Sequence, residues 1–84
     1  MELKEIFEKA VADSKLLPSK PDNEVLLQLY SSYKQATEGD INIEPPAMFD
    51  FVAKAKYEAW AALKGKSTHD AMTDYIELVQ KLKN

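Results

Sequence analysis

The apolar residues of this chain recur with the period of an α-helix in four separate stretches. In the first, Leu3, Ile6, Phe7, Ala10 and Val11 fall at i, i+3, i+4, i+7 and i+8, a single stripe on an amphipathic helix. Glu5 and Lys9 form an i, i+4 pair on its outer face, in the favourable order. The helix must end before Pro18, because proline restricts its predecessor and has no donor N–H. A second helix is predicted to start near Pro21, capped by Ser19 or Lys20, with its apolar and aromatic positions at Val25, Leu26, Leu29, Tyr30, Tyr33 and Ala36. Gly39 is expected to close it as a left-handed C-terminal cap. The third helix is predicted from Met48 to Leu63, stopping at Gly65. The fourth opens at Ser67, with Asp70 as a capping-box-like partner, and buries Met72, Tyr75, Ile76, Val79 and Leu82. No run alternates as a strand would, so the expected fold class is all-α.

One connection changes the expected architecture. From Glu38 to Ala47 there is no helical pattern, and Pro45-Pro46 forces extended backbone. About 10 extended residues reach roughly 30 Å, the length of a helix of about 20 residues. Helices two and three can therefore run parallel, joined by an overhand crossing. The short links around Pro18 and Gly65 suit antiparallel neighbours.

At 84 residues the chain is expected to form one small domain spanning 1–84. Apolar residues make up 45% and charged residues 30%, the mix of a soluble globular protein and not of a disordered tail. The absence of cysteine excludes disulfides, thiolate metal sites and cysteine nucleophiles together. All 11 basic residues are lysine, against 14 acidic residues, for a net charge of -3. That balance argues against a nucleic-acid binder, which would be basic overall and would use arginine forks. No apolar run approaches the roughly 20 residues of a membrane span, and the opening Met1-Glu2-Leu3-Lys4-Glu5 lacks the apolar core of a signal peptide. The expected location is the cytoplasm.

Polar residues within the apolar stripes carry most of the functional information. Lys56 lies seven positions after Phe49, four after Val52 and four before Trp60, on the stripe of the third helix. Lys34, four after Tyr30 and seven after Leu27, continues the stripe of the second. Two readings are open. Either the methylene stems pack while the ammonium groups reach water, or the two ammonium groups rim a groove and bind an anion, each charge-assisted contact contributing about 1.5–3 kcal/mol. Tyr30 and Tyr33 lie one turn apart beside Lys34, and Tyr75 sits in the fourth stripe. These rings are either core aromatics with a surface hydroxyl, or a flat face for a base with donors for a phosphate.

The remaining chemistry is sparse. His69, the only histidine, falls in the first turn of the fourth helix and reads as a surface residue. No serine has a histidine and a carboxylate at recognisable spacing, and two glycines cannot make a phosphate loop. The acidic residues are scattered, so neither a metal cage nor a glycosidase pair is indicated. The chain reads as a binder, not an enzyme, and no cofactor is expected. A covalent acyl carrier protein is one rival, with Asp13-Ser14-Lys15-Leu16 a near miss to its attachment motif. A helical interaction module docking a partner helix is another.

The run Tyr30-Ser31-Ser32-Tyr33-Lys34-Gln35-Ala36-Thr37-Glu38-Gly39-Asp40 strongly resembles the acyl-coenzyme A binding protein family. The resemblance continues through Pro46, Lys54-Ala55-Lys56-Tyr57-Glu58-Ala59-Trp60, Leu63-Lys64-Gly65 and Asp70-Ala71-Met72 with Tyr75-Ile76, covering essentially the whole chain. It implies a four-helix bundle of up-down-down-up topology, in agreement with the long second connection. It implies a monomeric, non-catalytic cytoplasmic carrier and pool former for medium- and long-chain fatty acyl-CoA esters, serving enzymes that use them, without stable membrane insertion. Lys34 and Lys56 match the family's binders of the nucleotide 3′-phosphate, together with the hydroxyl of Tyr30. Tyr33 matches the aromatic beside the adenine, and Tyr75 and Lys15 match further ligand-contacting positions. Residues matching Val11, Leu26 and Leu27 line the acyl groove. The chain departs from the family pattern at Tyr57 for tryptophan, Val52-Ala53 for lysine-glycine, Pro45 for arginine and Asn23 for an acidic residue. These departures bear on affinity and chain-length preference.

Overall fold

The computed structural model describes residues 2–83, and every regular element among them is an α-helix: α1 (Leu3–Ser14), α2 (Asn23–Glu38), α3 (Phe51–Ala61) and α4 (Thr68–Lys83). Met1 of the opening stretch lies outside the described residues. None of the four helices is long and apolar enough to cross a membrane. The element order is as the periodicity predicts, and the differences lie at the ends. α2 begins two residues later than Pro21, because Asp22, not Ser19 or Lys20, is its cap: the Asp22 carboxylate accepts from the Val25 N–H at 2.9 Å. α3 begins at Phe51, not Met48, because the Asp50 carboxylate caps it by accepting from the Ala53 N–H at 3.1 Å. Ser67 caps α4 as expected, its hydroxyl accepting from the Asp70 N–H at 3.0 Å. On α1 the ion pair is Lys9 with Asp13, one turn beyond the expected Glu5–Lys9 pair.

Gly39 ends α2 with φ 77° and ψ -148°, its N–H donating to the Gln35 carbonyl at 3.1 Å. This is not the left-handed helical cap expected from sequence but a mirror-extended conformation essentially restricted to glycine. Gly39→Ala is therefore expected to destabilise the fold by about 1–3 kcal/mol through backbone strain alone, since no neighbour lies within 4 Å of the added Cβ. Urea unfolding checks this, and an unchanged midpoint would contradict the conformation.

Cross-helix contacts establish the topology. Tyr30 meets Lys56, Lys34 meets Trp60, and the Trp60 indole N–H donates to the Gly39 carbonyl at 2.9 Å, so α2 and α3 run parallel. Gln35, near the end of α2, donates to the Lys66 carbonyl just before α4, so α2 and α4 are antiparallel. α1 runs parallel to α4: Phe7 packs on Tyr75, and Asp13 pairs with Lys83. The bundle is up-down-down-up. α4 packs on both α1 and α2, while α3 packs on α2 alone. The molecule is correspondingly flat, 40 × 28 × 15 Å.

The core lies between α1, α2 and α4 and contains Phe7, Ala10, Leu29, Ala36, Ala71, Tyr75 and Val79. α3 contributes Trp60, which is fully buried. Having one helical neighbour, α3 leaves Phe51 and Val52 exposed, as it does Met48 and Phe49 just before it. The expected buried stripe of α3 is thus apolar at the surface over its first half. A polar clamp holds the lower end together. Gln35, wholly buried, donates through Nε2 to the Asp40 carboxylate at 2.9 Å and to the Lys66 carbonyl at 2.8 Å. Asp40 also accepts from the Gly65 N–H at 2.8 Å, and that bond, followed by the one from Gln35, holds its carboxyl below the usual range. Gly65 has φ 94°, so its N–H is aimed by a conformation that suits glycine.

Candidate functional site

On α2, Leu26, Tyr30, Tyr33 and Thr37 follow one another at i, i+4, i+7 and i+11, which puts them on one face of the helix. Grooves open on both sides of this ridge. The first, about 480 Å³, is lined by Phe7, Val11, Tyr33, Ala36, Thr37 and Met72, with Lys4 and Glu8 at its rim. The second, about 390 Å³, lies between the first halves of α2 and α3, lined by Asn23, Leu26, Leu27, Tyr30, Phe51, Val52, Ala55 and Lys56.

Lys34 and Lys56 sit on the seam between α2 and α3, one helical turn apart along it. The Lys34 Nζ lies 5.2 Å from the centre of the Trp60 ring, and the Lys56 Nζ lies 5.4 Å from the centre of the Tyr30 ring. Each ammonium faces an aromatic ring of the other helix, the cation–π arrangement. Because the two helices are parallel, the pairs have the same sequence separation and fall side by side. Their surroundings differ. Lys34 donates to the Glu38 carboxylate, which raises its pKa against the opposing effect of burial, while Lys34 holds the Glu38 carboxyl below the usual range. Lys56 makes no ion pair among the described residues. Both ammonium groups lie over aromatic rings of the seam, Lys34 with a carboxylate partner and Lys56 without one among the described residues.

The tyrosines divide. Tyr30 is half-buried on the seam, its ring under Lys56. Tyr33 is 40% exposed and stacks on Phe7, ring centres 6.0 Å apart, so one face of the ring remains presented to the first groove. Tyr75 is only 4% exposed. It packs edge-on against Phe7 at 5.2 Å and donates its hydroxyl to Ser14 at 3.0 Å, supporting the Phe7–Tyr33 stack from within the core. Burial, opposed by the Ser14 bond, raises its phenol pKa.

The predicted groove residues are not all brought together. Leu26 and Leu27 line the second groove, whereas Val11 lines the first, on the other side of the α2 ridge. Lys15 is exposed at the C-cap of α1 and lines neither. Ser14, the serine of the near-miss attachment motif, donates to the Val11 carbonyl at 2.6 Å and accepts from Tyr75, so its hydroxyl is engaged at the end of α1. His69 is exposed beside Asp70. Among the described residues, no three His, Asp or Glu side chains converge as metal ligands.

Sequence reasoning missed Glu38, although its i+4 spacing from Lys34 was a sufficient signal. It also missed Phe7 and Met72 as groove residues, because a helical stripe does not distinguish a core position from a groove wall. Trp60 is both a core residue and the seat of Lys34, where only the first was expected.

Comparison with known proteins identifies the family and the fold. A family model described as "Acyl CoA binding protein" matches residues 4–79. The acyl-CoA-binding protein of Ricinus communis is 49% identical over 82 residues, covering 98% of this chain and 91% of the relative. That of Brassica napus is 49% identical, covering 98% and 89%. The crystal structure of Oryza sativa acyl-CoA-binding protein 2 superposes with a TM-score of 0.91 at 42% identity, over 96% of this chain and 90% of that one. The ACBP of Moniliophthora perniciosa gives 0.89 at 38%, over 98% and 80%. This chain, a four-helix bundle that superposes on these structures, with a sequence that matches along nearly its full length, belongs to the acyl-CoA-binding protein family.

Proposed function

We propose that this protein binds medium- and long-chain fatty acyl-CoA esters non-covalently and acts as their cytoplasmic carrier and pool former. In this reading it is monomeric, catalyses nothing, and hands the ester to enzymes of fatty acid metabolism. One observation carries the proposal: two ammonium groups seated over aromatic rings on the α2/α3 seam, directly beside a groove walled by Leu26, Leu27, Phe51 and Val52. The seam offers cations and a phenol to the 3′-phosphate through Lys34, Lys56 and Tyr30. Tyr33, stacked on Phe7, offers a ring to the adenine, with Tyr75 holding that stack. Leu26 and Leu27 offer the apolar wall for the acyl chain. Val11 walls the groove that Tyr33 faces, and Lys15, which lines neither groove, offers a further cation from the end of α1. Val52, where the family has lysine, makes the groove mouth more apolar.

The energetics favour a joined ligand. Each buried methylene contributes about 0.8 kcal/mol, so covering about eight gives roughly 6 kcal/mol. Two charge-assisted phosphate contacts add roughly 3–6 kcal/mol. Association costs an estimated 4–15 kcal/mol, which neither half comfortably exceeds alone. Calorimetry with palmitoyl-CoA, free CoA and palmitate is expected to show saturable one-to-one binding of the ester and at least about a hundredfold weaker binding of each half. No saturable binding of the ester would overturn the proposal and favour a protein-interaction module; equal binding of free CoA would remove the acyl groove from it.

A further inference from the structure

The carboxylate on Lys34 belongs to a residue that local helix chemistry would not select. Glu38 is the last residue of α2, where the helix C-terminus repels negative charge. It follows its lysine by four positions, the less favourable order for an i, i+4 pair. Asp13 on α1 follows Lys9 in the same order, but Glu38 differs in engaging a lysine of the seam. Glu38 is nevertheless held in place: Lys34 donates to it and holds its carboxyl below the usual range. On the neighbouring turn of the seam, Lys56 has no carboxylate partner among the described residues.

We propose that Glu38 is a built-in competitor for the anion site, an intramolecular carboxylate that occupies Lys34 and that the ligand's phosphate must displace or share. The inference rests on the assignment of the seam to the 3′-phosphate and adds to it a residue that limits affinity there. Its consequence is a cost to any anion that takes Lys34. A ligand bearing a single diffuse charge gains little by exchanging one carboxylate for another at Lys34. A phosphate monoester carries up to two charges and three acceptor oxygens, so it can engage Lys34 and Lys56 together and outcompete Glu38. The carboxylate lowers affinity for an anion placed at Lys34 and gives Lys34 a partner when the ligand has left.

The test compares palmitoyl-CoA with its 3′-dephospho analogue by calorimetry on wild type, Glu38→Gln, Lys34→Ala and the double variant. Glu38→Gln is expected to bind palmitoyl-CoA at least about fivefold tighter, with the gain shrinking as salt is raised. It is expected to bind the dephospho ester unchanged, and in the Lys34→Ala background the gain should largely vanish. Glu38→Ala is measured alongside and must move in the same direction. Equal or weaker binding by both Glu38 variants overturns the competitor role, as does an equal gain for both esters. If wild type still loses affinity on removal of the phosphate or of Lys34, the seam assignment survives that result. If wild type binds the two esters equally, the phosphate site itself falls and Glu38 has nothing to compete with.

Discussion

Replacing Lys34 or Lys56 by alanine is expected to weaken the binding of a long-chain acyl-CoA by at least about tenfold each, the 1.4 kcal/mol step. Each ammonium is seated over a ring of the opposite helix, so it is positioned before the ligand arrives and little side-chain freedom is lost on contact. The control is chemical. Removing the 3′-phosphate should cost wild type a similar factor and either variant little more, as a double-mutant cycle requires of groups in contact. Titration calorimetry of the two esters decides it: additive losses would mean that lysines and phosphate do not meet.

Trp60→Ala should produce the largest loss of stability in the molecule, about 3–5 kcal/mol, the usual cost of deleting a large buried aromatic. Trp60 is fully buried, its N–H satisfies the Gly39 carbonyl, and its ring is the main anchor of α3, which has no helical neighbour except α2. In a domain of this size each kcal/mol moves the thermal midpoint by about 4–8 °C, so a drop beyond about 12 °C is expected by circular dichroism. Trp60→Phe separates the two contributions. It keeps most of the buried ring but leaves the part-buried Gly39 carbonyl without its donor, at a cost of about 1 kcal/mol. An alanine variant with the wild-type midpoint would show that α3 is anchored by something other than this ring. Because Trp60 also seats Lys34, the phenylalanine variant is expected to bind ligand more weakly even where it remains folded.

The site was unevenly legible in the sequence. Lys34 and Lys56 stood out because a charge on an apolar stripe conflicts with local periodicity, and they do share one seam. Tyr30, Tyr33 and Tyr75 could not be separated by spacing, since all three sit at stripe positions; what sorts them is depth. Tyr75 faces the crowded junction of α1 and α4, whereas Tyr33 faces a groove. Val11 and Leu26 both fall on apolar stripes, yet the α2 ridge puts them in different grooves. The exposed Phe51 and Val52 defeated the stripe argument on α3, because periodicity says which residues share a face and not whether another element covers it.

From the chain alone came the all-α class, the four helices, the parallel second and third helices implied by a long proline-marked connection, and the two misplaced lysines. These follow from local rules: helical period, the backbone limits of proline, and chain reach. The tertiary structure decided which aromatic each lysine faces, that Gln35 and Asp40 clamp three segments, that Tyr75 is enclosed while Tyr33 is presented, and that Glu38 occupies Lys34. All but the last depend on the register and depth with which one helix meets another. Such contacts join positions far apart in sequence, and no local period encodes the distance between two packed surfaces.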